Sequence, residues 1–401
     1  MAGMTSNEQA VVARLDAAAM LAQVEHWAAI NSGTRNIDGL ARMATVLADA
    51  FAVLPGDVSL IEPAPVESVA ADGNVSPLAH GRHLLVRVRP DAGRRVLLMG
   101  HMDTVYGADH AFQTLHWREP GVLIGPGVAD MKGGLAAMLA ALAAIEAEGG
   151  CALGYDVLIN SDEETGSLSS AALIAEVAAG KVAALGYEPA LADGTLVGAR
   201  GGTGNFSIVV RGRSAHAGRN PEEGRNAIVA ASEIAVRLAD ARGDGLWVNP
   251  ARIEGGGPNN VVPELAVLRV NFRPRDAGAI MRAQAVVDRV TADVAGRRNV
   301  SVAVHGGFNR PPKPVDAGAE ALQAVIEDAA GSLGIAVGWR DTGGVCDGNN
   351  IAAAGVAVVD TMGVRGGAIH SSDEFLLVDS LVERAALTAV TMLRIAARLP
   401  V

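Results

Sequence analysis

Short apolar runs alternate along this chain with stretches whose apolar residues recur at i, i+3 and i+4, and this alternation restricts the fold more than any other feature. HLLVRVRP and RRVLLMGH read as strands, and 133–148 reads as a helix. YDVLINSDEETG is a further strand with its exit, 168–179 a second helix, and AALGYEP a short strand. Two helices, LDAAAMLAQVEHWAAI and IDGLARMATVLADAFAVL, precede them, split by NSGTRN. Strands and amphipathic helices in this order imply a sheet covered by helices on both faces.

Near residue 198 the texture changes. GARGGTGNFSIVVRGRSAHAG starts with a glycine cluster and an alternating strand. A helix around 224–241, the strand LAVLRVNFRPRD, a helix over 277–295 and the strand VSVAVHG follow, and the proline-rich RPPKP closes the unit. This order describes a small α+β unit. The first texture then returns: a helix over 317–333, the loop DTGGVCDGNN, the strand VAVVDTMGV and a helix over 379–397. The expected organisation is therefore one domain inserted into another, with 1–197 and 313–401 forming the host and 198–312 the insert.

Composition narrows the function. The 401 residues include 33 basic and 44 acidic side chains, a formal net charge of −11, and only 3% are aromatic. A chain of this sign has no electrostatic footprint for nucleic acid or an anionic membrane surface. The first residues lack a basic segment followed by an apolar core, and polar residues interrupt the longer apolar runs, so a soluble, cytoplasmic protein is expected. The 2 cysteines, Cys151 and Cys346, are far apart, which indicates neither a disulfide framework nor a thiolate zinc site. Any metal would have to use His, Asp and Glu.

Those residue types gather at strand exits. RRVLLMG ends in His101, with Asp103 two residues on; an H-x-D pair lets the imidazole face a metal while the carboxylate holds its other ring nitrogen. YDVLIN runs into Asp162, Glu163 and Glu164, which read either as a solvated acidic turn or as charges offset by cations. In extended backbone the two glutamates would point opposite ways, so one can ligate while its neighbour handles protons. AALGY delivers Glu188. The loop after VAVVDT delivers His370, with Ser371, Ser372 and Asp373 as candidate supports. Asp130, in GVADMKGG, reads either as a cap for the helix that follows or as a further ligand. The carboxyl edge of an α/β sheet is where ligands bind.

With these motifs in hand, the chain resembles the dinuclear zinc amidohydrolases and metallopeptidases that include bacterial glutamate carboxypeptidase, acetylornithine deacetylase and succinyl-diaminopimelate desuccinylase. GHMDTV, GPGVADMKGG, NSDEETGS, GYEP, GRSAHAG, NNVVPE, TGGVCDGN and AIHSSDEF occur in the family's order. The resemblance implies an α/β catalytic domain with a mostly parallel central sheet, and an inserted α+β, ferredoxin-like lid through which the protein forms a homodimer. It implies two Zn²⁺ per subunit, replaceable by Co²⁺ or Mn²⁺, bridged by Asp130. His101 and Glu188 would complete one site, Glu164 and His370 the other, with a cis peptide after Asp130. Three carboxylates against two divalent ions leave one positive charge, which a bridging hydroxide would cancel.

The resemblance further assigns Glu163 as general base, Asp103 as the partner of His101, and His216 as a transition-state histidine that can act across subunits. Asn260 and Arg273 would grip substrate, the arginine through a bidentate hold on a carboxylate. Gly343, Gly344 and Arg365 would shape specificity. Cys346 stands where Ser or Thr is more usual, and a small buried thiol is expected there. The local wording is nearest the glutamate carboxypeptidase branch, which releases a C-terminal amino acid from an N-acyl or folate-like group. An N-acyl-amino-acid deacylase shares every catalytic atom with it. A noncatalytic metal-binding scaffold would have no use for Glu163.

Overall fold

A computed structural model describes residues 3–398. Its central sheet has six strands in the order Asp57–Ile61, His83–Val88, Gly154–Asn160, Arg95–His101, Ala183–Gly186, Val358–Val359. The first two junctions are antiparallel and the remaining three parallel. The sheet is thus mixed but mainly parallel, and its three central strands are buried along nearly their whole length.

Alternation along those strands feeds two cores. Leu84, Val86, Val96 and Leu98 point to one face, where the helices Ala17–Ala28, Gly133–Ala147 and Ser380–Arg398 pack. Leu85, Leu97, Met99 and Leu158 point to the other, against Ala171–Ala178 and Asp347–Ala353. The period of two along a strand makes this partition automatic. Gly133–Ala147 is apolar on every side because its neighbours enclose it, with residues 133–139 all buried.

A separate four-stranded antiparallel sheet runs Leu246–Gly255, Leu265–Pro274, Thr203–Arg211, Ser301–Arg310. The helices Ala227–Ala239 and Ala277–Arg298 cover one face, with Phe206, Phe272, Ile234 and Val287 in the core between. In chain order this is strand–helix–strand–strand–helix–strand, the split βαβ arrangement. The periodicity reading lacked the strand Leu246–Gly255. That strand carries Pro250 beside an irregularity in pairing and lies at the sheet edge, both places where a proline is tolerated. Also unread was a five-stranded sheet of very short strands that includes Arg365–Gly367 and Phe375–Leu377.

The two chain segments joining these units run side by side. Arg200 and Lys313 pair through backbone hydrogen bonds of 2.8 and 3.0 Å. Both side chains converge on Asp360, just past Val358–Val359: Arg200 through Nε and Nη2 at 2.8 and 3.0 Å, Lys313 through Nζ at 3.1 Å. All three are buried. Burial alone would raise the Asp360 carboxyl; the two cations outweigh it and hold the group below the usual carboxylate range. A folded-state value below the unfolded one means that the stabilisation is present above pH ~4 and is lost as pH falls through the lowered value. Asp360→Asn leaves two buried cations unpaired and should cost about 3–5 kcal/mol in urea unfolding at pH 7, the gap narrowing in acid. A loss below about 0.5 kcal/mol at pH 7 would place this cluster with surface pairs.

Candidate metal centre

The carboxyl ends of the parallel strands aim their next residues at one point. His101 ends Arg95–His101. Gly154–Asn160 leads into a single tight turn, Glu163–Thr165. Ala183–Gly186 leads to Glu188, whose backbone N–H donates to the Asp360 carbonyl at 3.1 Å. Asp130 lies just before Gly133–Ala147, and the Asp130–Met131 peptide is cis. His370 comes from the loop between Arg365–Gly367 and Phe375–Leu377, at a φ of 62°.

Asp130 is not a helix cap: Lys132 occupies the cap position, without a side-chain bond. Its carboxylate instead spans two imidazoles, Oδ1 at 3.0 Å from His101 Nε2 and Oδ2 at 3.4 Å from His370 Nε2. Glu188 Oε1 lies 3.8 Å from His101 Nε2, and Glu164 Oε2 lies 3.1 Å from His370 Nε2. Two groups of side chains therefore share one carboxylate. Oxygen and nitrogen donors of His101, Asp130 and Glu164 lie within 4.8 Å of one another, as do those of His101, Glu163 and Glu188. His370 is the open side, its side chain 52% exposed, whereas that of His101 is 1% exposed.

Crowded carboxylates make this place attract cations. Burial, then Asp130 and Glu163, push Glu188 well above its ordinary value. Burial and Asp130 push Glu164 up too. Bonds to Asp130 and Glu164 push His370 up to about 11. Burial would lower His101, but its bonds to Asp103 and Asp130 outweigh that and raise it well above its usual value. A surround that favours imidazolium so strongly favours a metal ion as well. The donor set fits the group: carboxylate and imidazole without thiolate suit zinc, cobalt or manganese.

Asp103 holds the site more broadly than the H-x-D spacing indicates. Its carboxylate Oδ1 is 3.4 Å from His101 Nδ1, but its backbone carbonyl is closer, at 3.0 Å. The carboxylate also accepts the Thr34 hydroxyl at 2.7 Å and the Glu163 and Glu164 N–H groups at 3.1 and 3.2 Å. The acidic turn is thus clamped from below. The two glutamates diverge because they sit on a helical turn, not in extended backbone as the sequence reading assumed. Glu163 meets Arg310 at 2.8 Å, and burial first of all raises its carboxyl to about 8.

The expected supports after His370 differ from the observed one. Ser371 bonds Ala368 and Asp373 within its own loop. Glu374, unread in the sequence although adjacent to the SSD triplet, accepts the N–H groups of Gly127, Ala129 and Asp130 at 3.1, 3.0 and 3.0 Å, and the Tyr106 hydroxyl at 2.9 Å. One carboxylate therefore ties the segment carrying Asp130 to the loop carrying His370. A phenol and three amides around a buried acid mark such a role only once the fold is known.

Cys346 lines a small cavity with His101 and Glu188, and the remaining candidates form no bond with this cluster. His216 and Asn260 are exposed on adjoining loops, Ala217 N–H donating to the Asn260 carbonyl at 2.9 Å, and neither bonds a cluster residue. Arg273 and Gly343 line a cleft of about 640 Å³ with Gly201, Arg242, Trp247 and Arg275. Gly344 N–H donates to Thr342 Oγ1 at 3.1 Å, and its carbonyl accepts Arg200 Nη1 at 3.3 Å. Arg365 is occupied by Asp379, Glu383 and the Ala192 carbonyl at 2.9, 3.2 and 3.2 Å, which assigns its guanidinium to holding Ser380–Arg398. Cys346 is buried and caps Asp347–Ala353, its sulfur accepting Gly348 N–H at 3.3 Å. Capping is a task Ser or Thr also performs, and burial pushes the thiol up, away from nucleophilic use.

The profile of peptidase family M20/M25/M40 matches residues 97–394. Carboxypeptidase G2 of Pseudomonas sp. (strain RS-16) is 30% identical over 324 residues, 78% of this chain and 76% of the relative. Succinyl-diaminopimelate desuccinylase of Sphingopyxis alaskensis is 28% identical over 68% of this chain and 74% of its own length. Among solved structures, aminopeptidase PepT of Bacillus cereus superposes with a TM-score of 0.71 at 22% identity, covering 96% of this chain and 100% of that one. The M20 metallo-carboxypeptidase Sso-CP2 of Sulfolobus solfataricus gives 0.70 at 15% identity, covering 93% and 98%. These two likenesses concern the fold.

Removing the Glu374 carboxylate should loosen the Asp130 segment. Glu374→Gln is expected to weaken zinc binding about 10–100-fold in competition with a chromophoric chelator. Unchanged affinity would mean that this segment keeps its shape unaided.

Proposed function

Because the chain belongs to peptidase family M20/M25/M40, we propose that this metallohydrolase cleaves the amide bond joining a C-terminal, glutamate-like amino acid to an N-acyl or folate-like group. The observation that carries the reading is the shared Asp130 between two imidazole–carboxylate groups, with Glu163 beside one of them. The 30% identity to carboxypeptidase G2 supports the carboxypeptidase direction.

Two zinc ions held by His101, Asp130, Glu164, Glu188 and His370 would supply Lewis acidity, making water more acidic and the scissile carbonyl more electrophilic. The chain's own residues supply the proton traffic. Glu163 takes the proton of the attacking water as its oxygen adds to the acyl carbon, then delivers it to the departing nitrogen as the C–N bond breaks. A carboxyl raised to about 8 is matched to both halves of that task. Asp103 keeps the His101 ring oriented. Arg273, without an ion-pair partner among the described residues, is suited to a substrate carboxylate, and Asn260 to an amide or carbonyl.

His216 lies outside the cluster of its own chain, so its assigned role needs a second subunit. The edge strand Leu246–Gly255 and the helix Ala227–Ala239 offer a surface for one: Trp247, Ile253, Val229 and Val236 are 59%, 40%, 43% and 60% exposed. An unpaired edge with apolar neighbours is an ordinary pairing surface. Similarity to the desuccinylases supports a second substrate reading, an N-acyl-amino-acid deacylase.

A panel of N-acyl-glutamates, folate-like conjugates and N-acetyl amino acids, assayed with zinc added, tests the substrate; turnover confined to N-acetyl or N-succinyl diamino acids would replace the first reading by the second. Glu163→Gln should keep its zinc and lose about 10²–10⁴-fold in kcat. A near-normal rate would remove Glu163 as the base. Light scattering should give a dimer, and a strict monomer would leave His216 without its role.

A further inference from the structure

Arg310 is the last residue of Ser301–Arg310, so it belongs to the inserted sheet, yet its guanidinium lies under the acidic turn of the host. It is 5% exposed. Nη2 lies 2.8 Å from Glu163 Oε1, 2.8 Å from the Glu163 carbonyl, 2.7 Å from Ser167 Oγ and 3.2 Å from Asp347 Oδ1, so these acceptors share its two hydrogens. Among the described residues no other cationic side chain forms an ion pair with the Glu163 carboxylate. On its other side that carboxylate faces His101 and Glu188.

A substrate-anchoring role fits this geometry less well. A substrate anchor would present its donors to open space, whereas Arg310 is buried, its Nε enclosed without a partner and its Nη2 turned to the backbone and the side chain of Glu163. Arg310 also pairs with Asp347, whose other bonds, from Asn160 Nδ2 at 2.7 Å and from Ser167 Oγ, come from neutral donors. The grip on the carbonyl and the carboxylate of one residue fixes its side-chain direction. A buried carboxylate pulled by a single fixed cation loses most of its freedom to swing.

We propose that Arg310 is a positioning residue that sets the reach of the Glu163 carboxylate from the inserted unit, so that the proton carrier is in place only when that unit is seated on the host. The proposal rests on the reading of Glu163 as general base. The connecting segments favour the same coupling: Asn349 Nδ2 donates to the Gly201 and Pro311 carbonyls at 2.8 and 2.7 Å, and Asn350 Nδ2 to the Asn309 carbonyl at 3.1 Å. The helix that carries Asp347 thus holds the entry and exit of the insert beside the acidic turn.

The test is a double-mutant cycle with an N-acyl-glutamate as substrate, read as kcat, KM, bound zinc and unfolding midpoint. Arg310→Met should lower kcat about 10²-fold, with KM within about threefold and zinc content unchanged. Arg310→Lys keeps the cation and should recover about tenfold of that loss. In a Glu163→Gln background, Arg310→Met should change kcat by less than about threefold, because a residue that acts through another has nothing left to position. Equal losses in both backgrounds, or a raised KM with normal kcat, would overturn the proposal. If Arg310→Met does not fold, Arg310→Lys in both backgrounds gives the same comparison. A silent Arg310→Met beside an inactive Glu163→Gln removes this proposal alone; a fully active Glu163→Gln removes the general-base reading and this with it.

Discussion

Asp130 is the constraint on which the rest depends. A carboxylate shared between two imidazoles, with glutamates closing on each from the far side, concentrates negative charge at a buried sheet edge. Such a cluster is costly unless cations enter it. The surrounding structure spends many bonds on keeping it in place: Glu374 holds the Asp130 backbone, Asp103 holds the turn of Glu163 and Glu164, and the Asp360 carbonyl holds Glu188. Each support is itself a carboxylate-bearing residue drawn from another strand exit or loop, so the site and its scaffold form one network.

That network also explains why the inserted unit is not a passive cover. Its two connecting segments are locked together by Asp360 between Arg200 and Lys313, and its last strand ends in Arg310 against Glu163. The same stretch of chain therefore terminates the insert, returns to the host and touches Glu163, the proposed general base. The proposed positioning role of Arg310 follows from this connection. The cleft lined by Arg273 opens at this junction, between Gly201 and Gly343.

Much of this was legible in the sequence because it follows from periodicity and from strand exits. His101, Asp130, Glu164, Glu188 and His370 each follow an apolar run or a glycine turn that the eye can find. What escaped has physical reasons. Leu246–Gly255 carries an internal proline, tolerated at an edge or beside an irregularity in pairing. Arg310 read as the start of the proline-rich boundary RPPKP, and its partner lies 147 residues away. Glu374 read as the tail of a serine–acid loop, whereas its work is done on backbone amides 244–247 residues distant. Spacing reports which residues share a face of one element; it carries no information about which buried acid meets which amide across the fold. Arg365, a cation beside the His370 loop, has partners that spacing likewise could not name, Asp379 and Glu383.

The account stands on a pair of divalent ions held about Asp130. Zinc titration of the metal-stripped protein, followed by calorimetry and by elemental analysis after dialysis, addresses this directly. It predicts two tightly bound ions per chain, and loss of both in Asp130→Ala because the bridge is common to the two positions. Retention of two ions by Asp130→Ala, or no tight binding by the wild-type chain, would contradict it.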